Sequence, residues 1–417
     1  MTKPASFDTM RKPMTERYIQ TLLAYSALRS PRHIALTQLM SKPCLQATVF
    51  RSIRNLSYDD YEILTIGSYT IEVRFLTSSF GENNTNLAAF YNTVKDVCNY
   101  YCVTNGFLMP TALGNSRLKI YITSDCTDGG RTWPSTSGGA EIWIKESYVQ
   151  NGTATRTIAH EFMHAIMFKY GILDAPLWFD EAFASMALLI YLVYNNPSSL
   201  TTGSNRIWFQ EALEDYVFFS YYILHVMDDN MFEYGALVYP LNIYENHGGW
   251  ATIKDIFENY GSASSCYDAL QGTYRGNDFD YASIFIEMAI NNLIPFLGYS
   301  EIAGLFYGMD FWPLPDVYEQ GIPSTYTNQI APMGNRYYKY CSTSNIGTLY
   351  VTADSSSDVT FSLGLGDNFS TPDSGVSRVT FSESNFGSDS KQSATIIVTN
   401  TNTGNRATAF TITSRVG

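Results

Sequence analysis

The segment His160-Glu161-Phe162-Met163-His164 sets two of the chain's five histidines four residues apart, and sixteen residues then separate His164 from Glu181 in Trp178-Phe179-Asp180-Glu181-Ala182. On an α-helix, positions i and i+4 share a face, so the two imidazoles converge if that segment is helical. The fold is thereby constrained: a second helical segment must pack so that its carboxylate reaches both rings. A catalytic zinc takes three protein ligands and keeps a fourth position open. His160, His164 and Glu181 make up such a set, and Zn2+ is the expected cofactor. Glu161 is turned about 100° from His160, which places it beside the metal rather than on it. There it takes a proton from attacking water as general base and passes it to the leaving amine.

The local sequence suits two helices. Asn151-Gly152-Thr153 offers a start signal, with Thr153 as N-cap. Ile158, Phe162, Ile166 and Met167 form an apolar stripe. Asp174 and Pro176 give a turn, and the chain from Trp178 through Met186 to Val193 is strongly apolar. Histidines on an apolar helix also occur as satisfied core residues, and Glu181 is what favours a metal.

These residues resemble the gluzincin zinc peptidases of the thermolysin-like clan. In that pattern HExxH is followed by a glutamate on the next helix, often within W-x-x-E-G or W-x-x-E-A. Here Trp178 stands three residues before Glu181 and Ala182 one after it. The short linker is most similar to the hyicolysin-type and peptidase-MA-like families. The metzincin pattern does not fit, because Met167 and Tyr170 occupy the places of its glycine and third histidine.

The resemblance implies further groups. A hydroxyl or imidazole donor to the oxyanion is expected downstream, and Tyr234 in Phe232-Glu233-Tyr234-Gly235-Ala236 is the first candidate. His225 and His247 rank below it, and an aminopeptidase-style register would place the position on Phe232 instead. Peptide substrate is expected to pair antiparallel with a strand over Ser137–Ile144, through Gly139, Ala140 and Glu141. The same residues also read as one more strand inside a sheet. Aminopeptidases of the clan carry Gly-x-Met-Glu-Asn here, and the Met and Asn are missing, so an endopeptidase is expected. The loop from Thr127 to Ser137 around Trp133 reads either as a cleft overhang or as a plain loop tip.

Composition bounds the partners. A net charge of −13 and a pI near 4.8 argue against nucleic acid and anionic membranes. A peptide or protein substrate is the expected partner. No run reaches the length of a membrane span, and Met186–Tyr194 reads as a buried helix. Met1–Met14 shows no apolar leader, yet a surface rich in Tyr, Ser, Thr and Asn favours an extracellular setting. Cys98 and Cys102, four apart on an expected helix, match neither ribbon nor finger metal sites.

The expected fold class is α+β, a zincin-like catalytic domain followed by an all-β sandwich. Residues 1–60 read as an N-terminal helical and extended segment. Residues 61–177 read as an α+β subdomain with strands around Ile71–Phe75, Leu118–Ile122 and Ile142–Ile144. A helical subdomain follows over 178–294, with helices at Ile207–Met227, Tyr234–Asn246, Trp250–Tyr260 and Phe279–Asn292. A linker is expected over 295–335 and the sandwich over 336–417, its last two strands joined by a hairpin at Asn402-Thr403-Gly404-Asn405. That module is expected to bind substrate, carbohydrate or a surface, or to act as a spacer. Two other functions fit the same residues: an adhesion protein on a degenerate peptidase domain, and a zinc hydrolase of a non-peptide bond.

Overall fold

Strands over 69–75, 118–123 and 140–145 form the centre of the first sheet, because apolar residues recur at alternate positions along them. The computed structural model describes residues 58–417 apart from 81–83, 112–116, 127–128, 135–139, 202, 219–230, 275–276, 293–316, 321–323, 342–346, 356–358, 366–367, 371–377, 387–392 and 404–406. The expected N-terminal segment, His225 and Gly139 lie outside the described residues. Asp59–Gly417 form one unit.

The first sheet contains β1 (Asp60–Ile66), β2 (Tyr69–Phe75), β3 (Leu118–Thr123), β4 (Gly130–Pro134) and β5 (Ala140–Lys145), in the order β1-β2-β3-β5-β4. β2, β3 and β5 run parallel, while β1 and β4 are antiparallel to their neighbours. Leu118, Ile120 and Ile122 of β3 and Ala140, Ile142 and Ile144 of β5 are buried on one face. Helices α1 (Thr85–Cys98) and α2 (Thr155–Lys169) cover that face, and α2 lies directly against β4 and β5. Asn84 caps α1 by accepting from the amides of Asn86 and Leu87. Cys98 and Cys102 lie at its end as buried thiols, and no metal group among the described residues includes them.

Helix α3 (Leu177–Asn195) packs on α2. It is long and apolar enough to cross a membrane, yet most of it is buried inside the protein. Burying a large aliphatic side chain contributes about 1.5–3 kcal/mol, so Met186, Leu188, Ile190 and Leu192 bind this helix firmly into the core. Helices α4 (Gly203–Phe218), α5 (Val238–Asn246), α6 (Gly249–Tyr260) and α7 (Tyr281–Asn291) complete the layer. The helix expected over Tyr234–Asn246 is broken. A short turn over Phe232–Gly235 precedes α5, and Pro240 lacks the amide that would bond back across the break.

Between α6 and α7, β6 (Gly272–Tyr274) and β7 (Asn277–Phe279) pair antiparallel. The C-terminal strands are β8 (Val317–Gln320), β9 (Ser324–Ile330), β10 (Gly334–Cys341), β11 (Gly347–Ser355), β12 (Val359–Leu365), β13 (Asn368–Ser370), β14 (Arg378–Phe386), β15 (Ser393–Asn400) and β16 (Thr408–Val416). They form two sheets, β13-β12-β15-β10-β8 and β14-β11-β16-β9. Tyr338, Val351, Phe361, Ile396, Phe410 and Ile412 fill the core between them. Two expectations are corrected. β8 and β9 occupy part of the span read as linker, where polar composition hid their pairing with β10 and β16. β15 and β16 are not a hairpin, since each belongs to a different sheet. The sandwich is fastened to the helices, with the Tyr337 hydroxyl donating to the Ala289 carbonyl at 3.0 Å beside buried Ile397. The architecture is α+β.

Candidate metal centre

Helix α2 begins after Ala154, so Thr153 does not cap it. The Thr153 hydroxyl instead donates to the Tyr148 carbonyl at 3.4 Å. The helix carries His160, Glu161 and His164, all buried. One helix later, Glu181 faces both rings. His160 Nε2 lies 3.0 Å from Glu181 Oε2 and 3.0 Å from His164 Nε2, and His164 Nε2 lies 3.5 Å from Glu181 Oε2.

This triangle fits a metal. A tetrahedron whose vertices stand 2.0–2.1 Å from its centre has edges of about 3.3 Å, and the three separations bracket that length. The donor set of two imidazoles and a carboxylate suits zinc. His164 Nδ1 lies 2.8 Å from Asp180 Oδ1, which turns the other nitrogen toward the triangle.

The electrostatics agree. Burial pushes the His164 pKa down, but the Asp180 and Glu181 carboxylates overcome it and leave it well above its ordinary value. Burial pushes Glu181 up, but the His164 and His160 rings hold it well below the carboxylate range. The group thus already favours positive charge at its centre.

Glu161 stands beside the triangle. The Thr132 hydroxyl, on β4, lies 2.7 Å from Glu161 Oε2 and 2.9 Å from the Glu161 carbonyl. Burial raises the Glu161 pKa, with the histidine rings and Thr132 opposing. The contact is close because residue 130 is glycine. A Cβ there would sit 2.8 Å from Glu161 Cγ and would overlap the Thr157 methyl.

Tyr234 lies near the site, its ring tilted 44° to that of His160 with the centroids 5.8 Å apart. Trp208 on α4 touches both, at 5.4 Å from Tyr234 and 6.4 Å from His160. Gly235 lets the Tyr234 turn press onto α4, since a Cβ there would collide with the Ala212 carbonyl oxygen. Phe232, the alternative register, is buried against Tyr216. His247 is engaged with Glu287, 2.8 Å away.

The expected substrate strand is corrected. β5 is hydrogen-bonded on both sides, to β3 and to β4, and the Ala140 amide donates to the Thr111 carbonyl. Ala140 and Glu141 are therefore inside the sheet. Among the described residues the edge on this side of the sheet is β4, in the span read as a cleft overhang or loop tip. Sequence reading also missed Asp180, Thr132 and Trp208. Asp180 carried a signal, as the acid beside Glu181. Thr132 and Trp208 carried none that separates them from other residues of their type.

No family model and no curated protein matches the sequence. Among solved structures, similarity is found to an M1 zinc metallopeptidase from Deinococcus radiodurans, at 13% identity and a TM-score of 0.28 over 61% of this chain and 52% of that one. An aminopeptidase N family protein from Idiomarina loihiensis is similar at 8% identity and a TM-score of 0.26, over 60% of this chain and 40% of that one. A pre-peptidase C-terminal domain of a collagenase from Bacillus anthracis is similar at 9% identity and a TM-score of 0.20, over 24% of this chain and 95% of that one. The chain thus spans about half or less of the two peptidases it resembles.

Proposed function

We propose that the protein is a zinc-dependent endopeptidase. The observation that carries this reading is the triangle of His160 Nε2, His164 Nε2 and Glu181 Oε2, with separations of 3.0, 3.0 and 3.5 Å, beside a buried glutamate.

His160, His164 and Glu181 would hold a zinc ion, which would supply Lewis-acid chemistry toward a substrate carbonyl and water. The protein's own groups do the rest. Glu161 accepts the proton of the attacking water and delivers it to the leaving amine. Thr132 holds the Glu161 carboxylate in place by its hydroxyl. Asp180 fixes the His164 ring. Tyr234, beside His160, donates to the oxyanion as it forms. An extended peptide is proposed to pair along β4, the edge strand, rather than along Ala140 and Glu141.

Metal analysis of the purified protein, with a peptide-library digest before and after chelation, tests the reading. About one zinc per chain and chelator-sensitive cleavage are expected. A metal-free chain, or cleavage indifferent to chelator, refutes it.

A further inference from the structure

Arg156 stands four residues before His160 on α2, and its side chain crosses to α4. Its guanidinium lies 5.6 Å over the Trp208 ring, and Nη1 donates to the Ser204 carbonyl at 3.3 Å. The same indole touches His160 and Tyr234. A cation is thus held one aromatic ring away from the metal triangle.

Among the described residues no carboxylate pairs with Arg156. Burial lowers its pKa, and only the Tyr148 hydroxyl group opposes the shift. A guanidinium carries five N–H donors in a rigid fork that matches a carboxylate. One carbonyl and one ring face leave most of that fork unused. A half-buried charge without a partner is unfavourable, and an arriving anion relieves it.

We propose that Arg156, seated on Trp208, binds a carboxylate of the peptide substrate, either its C-terminus or the side chain of an Asp or Glu. The assignment deepens the endopeptidase reading and rests on it in taking the bound peptide to be substrate. Trp208 is the platform that fixes the fork's plane, and Ser204 holds one end, leaving the other end for the ligand.

The test is binding, measured by calorimetry on the zinc-loaded Glu161→Gln protein so that no turnover intervenes. Six acetylated tetrapeptide probes are compared: tetra-alanine as the free acid, tetra-alanine as the amide, and the four amides in which one alanine is replaced by glutamate at each position in turn. The free acid or one glutamate amide is expected to bind about ten- to a hundredfold more tightly than the neutral amide. Which of the two prevails identifies the source of the carboxylate. Adding Arg156→Gln should bring the ratio to about one, and Arg156→Lys should restore part of it. Equal binding of all probes, no binding, or a ratio unmoved by Arg156→Gln overturns the proposal. A purely structural Arg156 would lower the melting temperature and weaken every probe alike, and that result overturns it too. Library cleavage by the unmutated protein is read separately. Absent cleavage with the carboxylate ratio intact removes the peptidase reading alone, and cleavage without the ratio removes the Arg156 subsite alone.

Discussion

Asp180 Oδ1 stands 2.8 Å from His164 Nδ1, so the residue just before one corner of the His160, His164 and Glu181 triangle orients another. The two acids are adjacent on α3 and point to the two nitrogens of one ring: Asp180 to Nδ1, Glu181 toward Nε2. His160 has no such support, because its buried Nδ1 meets no hydrogen-bond partner among the described residues.

Asp180→Asn should therefore weaken zinc binding by about 10–100-fold while leaving the fold intact. Competition with a chromophoric chelator measures this, and unchanged affinity would show that the ring needs no orienting group.

Glu161→Gln should keep the metal and lower turnover by about 10²–10⁴-fold. Thr132→Val gives the finer test. A base must be unprotonated, so kcat/KM rises with pH through the Glu161 pKa. Thr132 bonds the charged form and holds that pKa down against burial. Removing it should shift the acid limb of the pH profile to higher pH. An acid limb in the same place would assign the limb to another group.

Tyr234→Phe should reduce turnover by about 10²-fold with little change in zinc content, if its hydroxyl meets the oxyanion. Equal rates for the two proteins would return Tyr234 to a packing role against Trp208 and His160.

Gly130→Ala should destabilise by about 1–3 kcal/mol, since the new methyl meets Glu161 and Thr157. Side chains can yield there. At Gly235 the obstacle is the Ala212 carbonyl, which is backbone, so Gly235→Ala should lower the melting temperature further. The reverse ranking in thermal melts would contradict the packing described.

Alkali should unfold the protein with a delayed release of tyrosines. Burial pushes Tyr101 and Tyr239 well above 10, and burial with Asp96 nearby pushes Tyr191 up to about 12. A folded pKa above the unfolded one gives stability that is complete below pH about 10 and drains away as pH rises toward 12. Absorbance at phenolate wavelengths should show exposed tyrosines first and a second, cooperative step coincident with loss of circular dichroism. A single smooth titration with the fold intact would count against these buried positions.

The convergence of His160, His164 and Glu181 was legible because its spacing is covalent. Two histidines four apart need only one helix, and Glu181 needs only a second helix beside it. The parallel strands over Ile71–Phe75, Leu118–Ile122 and Ile142–Ile144 were legible from alternation that survives in the burial pattern. Thr132 was not, because a five-residue edge strand of mixed composition does not differ locally from a loop. Which strand lies at the edge depends on β4 pairing outside β5, a fact of sheet order rather than of either segment. β8 and β9 were missed for the same reason: polar strands show themselves through partners about 20 to 90 residues away. Arg156 and Trp208 lie on different helices, and nothing in either segment announces the other.

Thr132 belongs to the outermost strand of its sheet and grips Glu161 by the hydroxyl. A polypeptide laid against that strand would be indexed to the carboxylate through the ladder itself, two residues per repeat. The point of scission would then follow from strand registration, and flanking side chains would adjust how tightly a sequence is held more than where it is cut.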